Sequence, residues 1–220
     1  NVLNGYLSSI APIIRRHGGF IDKYLGDGIM AIFPGKVDDA VLCALDMIQE
    51  IRKMNISREK EGLTPIATGT GIHCGTMMMG TIGEAERMQT TVIADSVNLA
   101  SRLESMTKEV GSRLLISREV YNRLEDLDAF STRYIGSTNF KGKAEQVGVF
   151  EVFNQDSAGN RQAKAGSRKK FELAVARLAE GRFEEAQASF EAILAENPED
   201  TVARWNIGRA LSREVSVVAD

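Results

Sequence analysis

Apolar and polar positions alternate with two different periods along the first part of the chain. Residues 3–16 carry apolar side chains every three or four positions, which predicts a helix with a kink at Pro12. The β-prone runs 20–25 and 29–33 flank a Gly-Asp-Gly segment, and this pattern predicts a hairpin. The chain therefore opens with a helix followed by two paired strands.

Helices and strands continue to alternate up to about residue 153. Asp38 and Asp39 are expected to cap a second helix, which has one apolar stripe. A third helix is predicted to start at Asp95 or Ser96 and to run to about Met106. The other predicted elements are strands within 65–82 and at 89–94, 114–117, 130–136, 138–142 and 147–153, and a short helix near 118–124. This order favours an α/β or α+β sandwich with one sheet and helices packed on it.

The composition changes at residues 154–170, which have no large apolar side chain and five basic ones. We interpret this stretch as a solvated linker rather than an anion-binding patch. Beyond it the pattern is helical, with helices predicted over 169–180 and 183–196 and a third opening at Pro198. The predicted organisation is a first unit over 1–153, the linker, and a helical unit over 171–220.

The helical unit resembles a tetratricopeptide repeat in the spacing of its small and aromatic residues. A single repeat cannot bury its own apolar face. We therefore expect its aromatic side chains to be covered by the first unit, by another chain or by further repeats. These side chains are Phe171, Phe183, Phe190 and Trp205. A helical tail that caps the first unit and a module that binds a protein partner both fit the pattern.

Composition and charge exclude several classes of protein. With 43% hydrophobic and 26% charged residues, the 220-residue chain is typical of a globular protein. A net charge of −3 gives no field directed at nucleic acid or an anionic membrane, and no apolar run is long enough to span a bilayer. Cys43 and Cys74 form no CxxC pair, which favours a reducing, cytoplasmic compartment. The chain opens with Asn1 and has no signal peptide, so we read it as a piece of a longer protein.

Three short segments carry candidate chemistry, although Walker, dinucleotide-binding and zinc-protease motifs are absent from the sequence. Asp27 lies between two glycines and can approach a cation closely, but taken alone it is better explained as a plain turn. Asn98 and Arg102 lie one helical turn apart and suit a polyphosphate, or form a solvated face. Lys141 at a strand end contacts a phosphate or protects a sheet edge. Five glycines are interpreted as bends of a twisted hairpin: Gly69, Gly71, Gly75, Gly80 and Gly83.

Taken in order, these segments resemble the catalytic domain of class III nucleotidyl cyclases. The matching stretches are HGGFIDKYLGDGIMAIF at 17–33, GIHCGTMMMGTIG at 71–83, TTVIADSVNLASRLES at 90–105 and NFKGK at 139–143. The resemblance covers about residues 1–153. It implies an α+β fold with a ferredoxin-like mixed sheet flanked by helices. It also implies that two such domains pair head to tail, with active sites at their interface.

The resemblance also implies a role for each candidate residue. Two Mg²⁺ or Mn²⁺ ions are held by two aspartates, of which Asp27 matches one; the other belongs to a strand upstream of the first helix, which this chain lacks. The remaining roles are ribose orientation by Asn98, charge stabilisation at the α-phosphate by Arg102, contact with the terminal phosphates by Lys141, and base selection by Lys23 and Thr91. With one metal aspartate, we expect the chain alone to be poorly active.

The base-selecting pair favours ATP. A lysine donates hydrogen bonds only, and adenine N1 is an acceptor, whereas guanine N1 carries a hydrogen. Thr91 in place of the commoner aspartate resembles a bacterial subgroup. The sequence therefore predicts an adenylate cyclase that forms cyclic AMP and pyrophosphate. The alternatives are a catalytically silent cyclase-like domain for regulation or dimerisation, and a guanylate cyclase, which Lys23 disfavours.

Overall fold

The fold consists of helices packed around short strands. The computed structural model describes residues 2–84, 87–93, 95–138 and 146–215; for 78–84 and 87–93 we describe the backbone alone. The elements in chain order are α1 (Val2–Arg16), β1 (Phe20–Leu25), β2 (Gly28–Ile32), α2 (Val37–Lys60), β3 (Thr70–Ile72), β4 (Met78–Glu84), β5 (Arg87–Ile93), α3 (Asp95–Val110), β6 (Leu114–Ser117), α4 (Arg118–Tyr121), β7 (Thr132–Thr138), β8 (Val147–Val152), α5 (Ala158–Ala179), α6 (Phe183–Glu196) and α7 (Thr201–Leu211). None of the helices in these ranges combines the length and apolar character needed to cross a membrane.

The described strands form three sheets rather than the single sheet expected from the sequence. A four-stranded mixed sheet has the order β3-β6-β8-β7, in which β3 is parallel to β6 and the other pairs are antiparallel. The hairpins β1-β2 and β4-β5 each form a separate two-stranded sheet. In each hairpin a strand pairs antiparallel with its neighbour in the sequence. The predicted hairpin over 20–33 and the α+β class are confirmed.

Alternate residues of β8 face two different cores. Phe150 and Val152 pack with α2 on one face of the four-stranded sheet. Val147 and Val149 face the opposite side, where α3 and the three C-terminal helices pack. This alternation follows from the two-residue period of a strand and places helices on both faces of the sheet. A third core joins α1 to α2 and to the β1-β2 hairpin.

Most of residues 154–170 is helical, so the prediction of a solvated linker is wrong for this stretch. The Ser157 side chain accepts a hydrogen bond from the Asn160 backbone and begins α5, which continues to Ala179. Lys164, one of the basic residues taken as solvated, is buried at 3% exposure and ion-paired with Glu151. Buried polar groups need partners, and the partner lies on a distant strand, so the local composition gave no sign of it.

The C-terminal helices cover one face of the four-stranded sheet. Phe171 and Phe190 are fully buried, with ring centroids 5.3 Å apart, in the same core as Leu115 of β6 and Val149 of β8. Phe183 and Trp205 are partly buried against that core. Of the three covers expected for these aromatic residues, the structure shows packing on the cyclase-like unit. The predicted helix at 183–196 coincides with α6.

The predicted aspartate cap of α2 is wrong. The helix begins at Val37, and its N-cap residue Lys36 makes no side-chain capping bond. Asp38 lies inside the first turn, where its carboxylate accepts hydrogen bonds from the backbone N–H groups of Glu125, at 3.2 Å, and Asp126, at 3.3 Å. Asp38 therefore fixes a distant loop to the start of α2 instead of satisfying the helix end.

Candidate functional site

The β1-β2 hairpin presents Asp27 to solvent. Leu25 pairs with Gly28, which leaves Gly26 and Asp27 as a two-residue turn. Gly26 has φ +66°, a conformation that glycine adopts without steric cost and that such tight hairpins require at this position. The Asp27 residue is exposed at the tip. An exposed carboxylate flanked by glycines has the open approach that a hard cation needs.

Two residues near this hairpin tip, Asp22 and Tyr6, were not singled out from the sequence. Lys23 Nζ lies 3.2 Å from Oδ2 of Asp22, whose side chain is 6% exposed, so a buried carboxylate faces the candidate base-selecting lysine. Burial and then the negative charge of Asp27 raise the pKa of the Tyr6 hydroxyl on α1. Tyr6 therefore belongs to the electrostatic surroundings of Asp27. No local pattern signals the approach of α1 to the hairpin, since it depends on the chain path.

Asn98 and Arg102 lie away from the buried side of α3. Asn98 is exposed and Arg102 half-buried. The buried apolar residues of the helix are Leu99, Leu103, Met106 and Val110. Helical spacing in the sequence places Val97, Ala100 and Leu103 on the core face. In the structure Leu103 is buried as predicted, whereas Val97 and Ala100 are only half-buried. An amide and a guanidinium on one side of a helix, one turn apart, can together contact an anionic ligand.

Two glycines allow α3 to lie close to β3. A Cβ atom on Gly71 would collide with the backbone of Ala100 and Glu104, and one on Gly69 would collide with Thr107. The interpretation of these two glycines as bends of a hairpin is therefore wrong, because their lack of a side chain is what allows α3 to pack closely at these positions. The contact of α3 with Gly69 and Gly71 holds the helix that carries Asn98 and Arg102 against the four-stranded sheet.

The structure describes the remaining candidates only in part. Thr91 lies in β5 opposite Gly80, and its side chain is outside the description. Lys141 lies in 139–145, outside the described residues. The described candidates form two pairs on two elements: Lys23 and Asp27 on the β1-β2 hairpin, and Asn98 with Arg102 on α3.

The described residues contain one candidate metal ligand rather than a complete metal site. In these ranges no group of three or more His, Cys, Asp or Glu side chains is arranged to hold a metal ion. Asp27 fits Mg²⁺ or Mn²⁺ by its chemistry, since both ions prefer carboxylate oxygens. Cys43 and Cys74 are free thiols, and burial raises the pKa of Cys43 to about 12, which keeps this thiol protonated at neutral pH.

Comparison with known proteins identifies relatives of the first 150 residues. The profile of the adenylate and guanylate cyclase catalytic domain matches residues 1–152. An adenylate cyclase of Anabaena cylindrica is 45% identical over 156 residues, which are 68% of this chain and 31% of that protein. The terminal-differentiation specific adenylate cyclase of Dictyostelium discoideum is 38% identical over 168 residues, or 74% of this chain and 8% of the relative. The chain thus spans less than a third of either protein.

Solved structures with a similar fold include enzymes for both purine nucleotides. The adenylyl cyclase CyaB from P. aeruginosa is 32% identical, with a TM-score of 0.57 over 70% of this chain and 81% of that one. The guanylyl cyclase Cya2 is also 32% identical, with a TM-score of 0.58 over 69% of this chain and 78% of its own. Overall structural similarity therefore does not distinguish ATP from GTP as the substrate. That choice depends on the residues that would contact the purine base.

Proposed function

Because this chain belongs to the adenylate and guanylate cyclase catalytic domain family, we propose that it converts ATP into 3′,5′-cyclic AMP and pyrophosphate. The supporting observation is the position of Asn98 and Arg102 together on the side of α3 away from the core. The 45% identity to a protein named adenylate cyclase supports the choice of ATP. In the reaction, the ribose 3′-oxygen bonds to the α-phosphorus while the bond from that phosphorus to the bridging oxygen breaks.

Arg102 stabilises the negative charge that grows on the α-phosphate as the bond to pyrophosphate breaks. Its guanidinium is always charged, and a donor aimed at developing charge lowers the barrier more than it strengthens substrate binding. Asn98 orients the ribose so that its 3′-hydroxyl faces the α-phosphate, and Lys141 contacts the terminal phosphates. Positioning of this kind makes a large contribution to phosphoryl transfer.

Asp27 is the described residue that would hold Mg²⁺ or Mn²⁺. Two such ions, when bound, neutralise phosphate charge and activate the attacking hydroxyl. The exposed carboxylate at the glycine-flanked tip supports this assignment. Removal of divalent ions with EDTA should abolish activity, and Asp27→Ala should leave almost no activity at any Mn²⁺ concentration.

The base is read by Lys23 and Thr91. Lys23 donates to adenine N1, and the Thr91 hydroxyl accepts from the adenine amino group. Lys23→Glu combined with Thr91→Cys should lower the ratio of ATP to GTP turnover, even where absolute rates fall. An unchanged ratio in this double variant means that the two residues do not select the base, and a wild-type preference for GTP would favour a guanylate cyclase.

The active site is shared between two head-to-tail chains. Asp27 on the hairpin and Arg102 on α3 would then serve the same site from different chains. An alternative is a silent cyclase-like domain that pairs with another cyclase. The tetratricopeptide-like helices would then offer a further surface for a protein partner.

Complementation tests the activity and the shared site together. Cyclic AMP formation is measured with Mn²⁺ for the 220-residue chain and for any longer product of its gene. Asp27→Ala and Arg102→Ala should each be inactive, and a mixture should regain about a quarter of the activity, because one of the two sites in a mixed dimer is intact in half of all dimers. Lys108→Ala, which changes an exposed cation further along α3, is the matched control and should retain full activity. Mixed inactive variants that stay inactive contradict a shared site, and a wild type without activity in every form supports the silent domain.

A further inference from the structure

Two adjacent residues at the start of α7 bond to two different parts of the catalytic unit. Both carboxylate oxygens of Asp200 accept hydrogen bonds from the Arg133 guanidinium on β7, at 2.7 and 2.6 Å. The hydroxyl of Thr201 donates to the backbone oxygen of Gly111, directly after α3, at 2.8 Å. The sheet and the end of α3 are thus joined at one point of the C-terminal helices.

The bond to the sheet is fully buried and has further partners. Arg133 and Asp200 have no exposed side-chain surface, and Arg133 Nε also donates to Glu151 on β8 at 2.8 Å. Lys164 of α5 donates to the other oxygen of Glu151 at 2.6 Å. The Arg133 guanidinium lies 3.9 Å from the centroid of the Phe171 ring. Buried ion pairs depend strongly on geometry, so this network fixes where α5 and α7 lie on the sheet.

The bond to α3 is made where that helix ends. Gly111 has φ +73°, and a Cβ atom there would lie 2.8 Å from the Cβ of Thr201, so a glycine is needed for the contact. The buried side of α3 shares one core with the C-terminal helices, in which Met106 and Val110 accompany Phe190 and Val202. The C-terminal helices therefore hold the second half of α3, whereas Asn98 and Arg102 lie in its first half.

We propose that Asp200 and Thr201 are positioning residues for the reaction: they fix the end of α3 to the sheet and thereby keep Asn98 and Arg102 in place. The inference rests on the proposed function of those two side chains. A helix of this length extends ~24 Å, so a tilt of ~5° about its midpoint moves each end by ~1 Å and moves Asn98, about one turn from the midpoint, by ~0.6 Å; Arg102 lies near the midpoint, and its long side chain turns with the helix. A displacement of ~1 Å at a catalytic group costs on the order of 100-fold in rate, so a small loosening has a measurable effect.

Thr201→Val tests the hydrogen bond between Thr201 and the end of α3 because it removes the hydroxyl and keeps the shape of the side chain. At a temperature where every variant is folded, kcat should fall about fivefold, the factor equivalent to one ordinary hydrogen bond, with KM for ATP within about twofold. Thr201→Ser should restore kcat. The matched control is Ser189→Ala, which removes a hydroxyl that donates to the backbone oxygen of Glu185 within α6 and accepts from Arg177 of α5; neither partner lies on α3, so this variant should keep the wild-type kcat.

Hydrogen exchange separates this inference from the proposed function. Exchange of the backbone amides of 95–110, followed by mass spectrometry, should be about fivefold faster in Thr201→Val and unchanged in Thr201→Ser and Ser189→Ala. If the wild type makes no cyclic AMP, the proposed function fails. Faster exchange that is confined to Thr201→Val would still support the role of Thr201 in holding the end of α3. Unchanged exchange in Thr201→Val overturns the inference, and so does an unchanged kcat or an equal loss in Ser189→Ala.

Discussion

The ion pair between Arg133 and Asp200 should contribute measurably to the stability of this chain, and Asp200→Asn isolates that contribution. Asparagine has the shape of aspartate and is an equally good N-cap, so the bond from Ala203 to residue 200 at the start of α7 is retained. The substitution removes the negative charge and one of the two acceptor oxygens, so Arg133 loses one of its two hydrogen bonds to residue 200. Arg133 keeps its bond to Glu151 in the variant.

The size of the effect follows from the charges in the buried network. Two cations, Arg133 and Lys164, face three carboxylates, those of Glu151, Asp156 and Asp200. Losing a partner from a buried pair costs about 3–5 kcal/mol when a charge is left uncompensated. Here two cations still face two carboxylates after the change, and asparagine still accepts one hydrogen bond. We therefore expect the free energy of unfolding to fall by about 2–3 kcal/mol at pH 7.

Urea denaturation followed by the fluorescence of Trp205 is the assay. Trp205 is the one tryptophan of the sequence, and it lies on α7, partly buried against the core that includes Phe171. The matched control is Glu184→Gln, which removes a carboxylate from an exposed pair with Arg213 and should cost less than about 0.5 kcal/mol. A loss below about 0.5 kcal/mol in Asp200→Asn as well would refute the view that this network fixes the C-terminal helices.

The same pair predicts a pH dependence. Burial raises the pKa of the Asp200 carboxyl, but the hydrogen bonds and charge of Arg133 outweigh it, and the pKa lies below its ordinary value of 3.8. A carboxyl with a lowered pKa stabilises the fold above its ordinary pKa and loses that effect as the pH falls through the lowered value. The difference between wild type and Asp200→Asn should stay constant from pH 7 to about 5 and shrink below about 4.

Three further predictions concern other parts of the fold. Gly71→Ala should lower the free energy of unfolding by about 1–3 kcal/mol, because the Cβ of the new alanine collides with the α3 backbone. Urea denaturation measures this loss, and an unchanged midpoint of the urea transition would show that α3 can shift. Arg102→Ala should lower kcat for ATP by about 100-fold or more with a smaller change in KM, and the reverse pattern would assign Arg102 to ground-state binding. Hydrogen bonding to His17 lowers the pKa of Asp46, so Asp46→Asn should lower the free energy of unfolding by about 0.5–1 kcal/mol at pH 7, a value discounted for solvent screening. The loss should shrink below about pH 4, and a loss that does not change with pH would contradict this role of the Asp46 carboxylate.

The sequence alone determined the elements that depend on neighbouring residues. The glycines around Asp27 and the β-prone runs beside them produce the β1-β2 hairpin, and Asp95 marks the start of α3. The predicted helix over 183–196 coincides with α6, including its end at Glu196. Propensities, turn chemistry and hydrophobic period act within a few positions, so they can be read before any fold is known. The order of the motifs was sufficient to identify the family.

The tertiary structure decided everything that depends on residues far apart in the chain. Residues 154–170 have the composition of a linker, yet Lys164 is buried because Glu151 lies opposite it. Gly71 is required by the close approach of α3, and the aromatic residues of the C-terminal helices are covered by the sheet. Arg133 has no exposed side-chain surface on β7 and therefore needs a buried acidic partner. Which residue supplies that partner, Asp200 in this protein, depends on how the chain folds back over the sheet, because ion pairs and packing are set by distance in space rather than along the sequence.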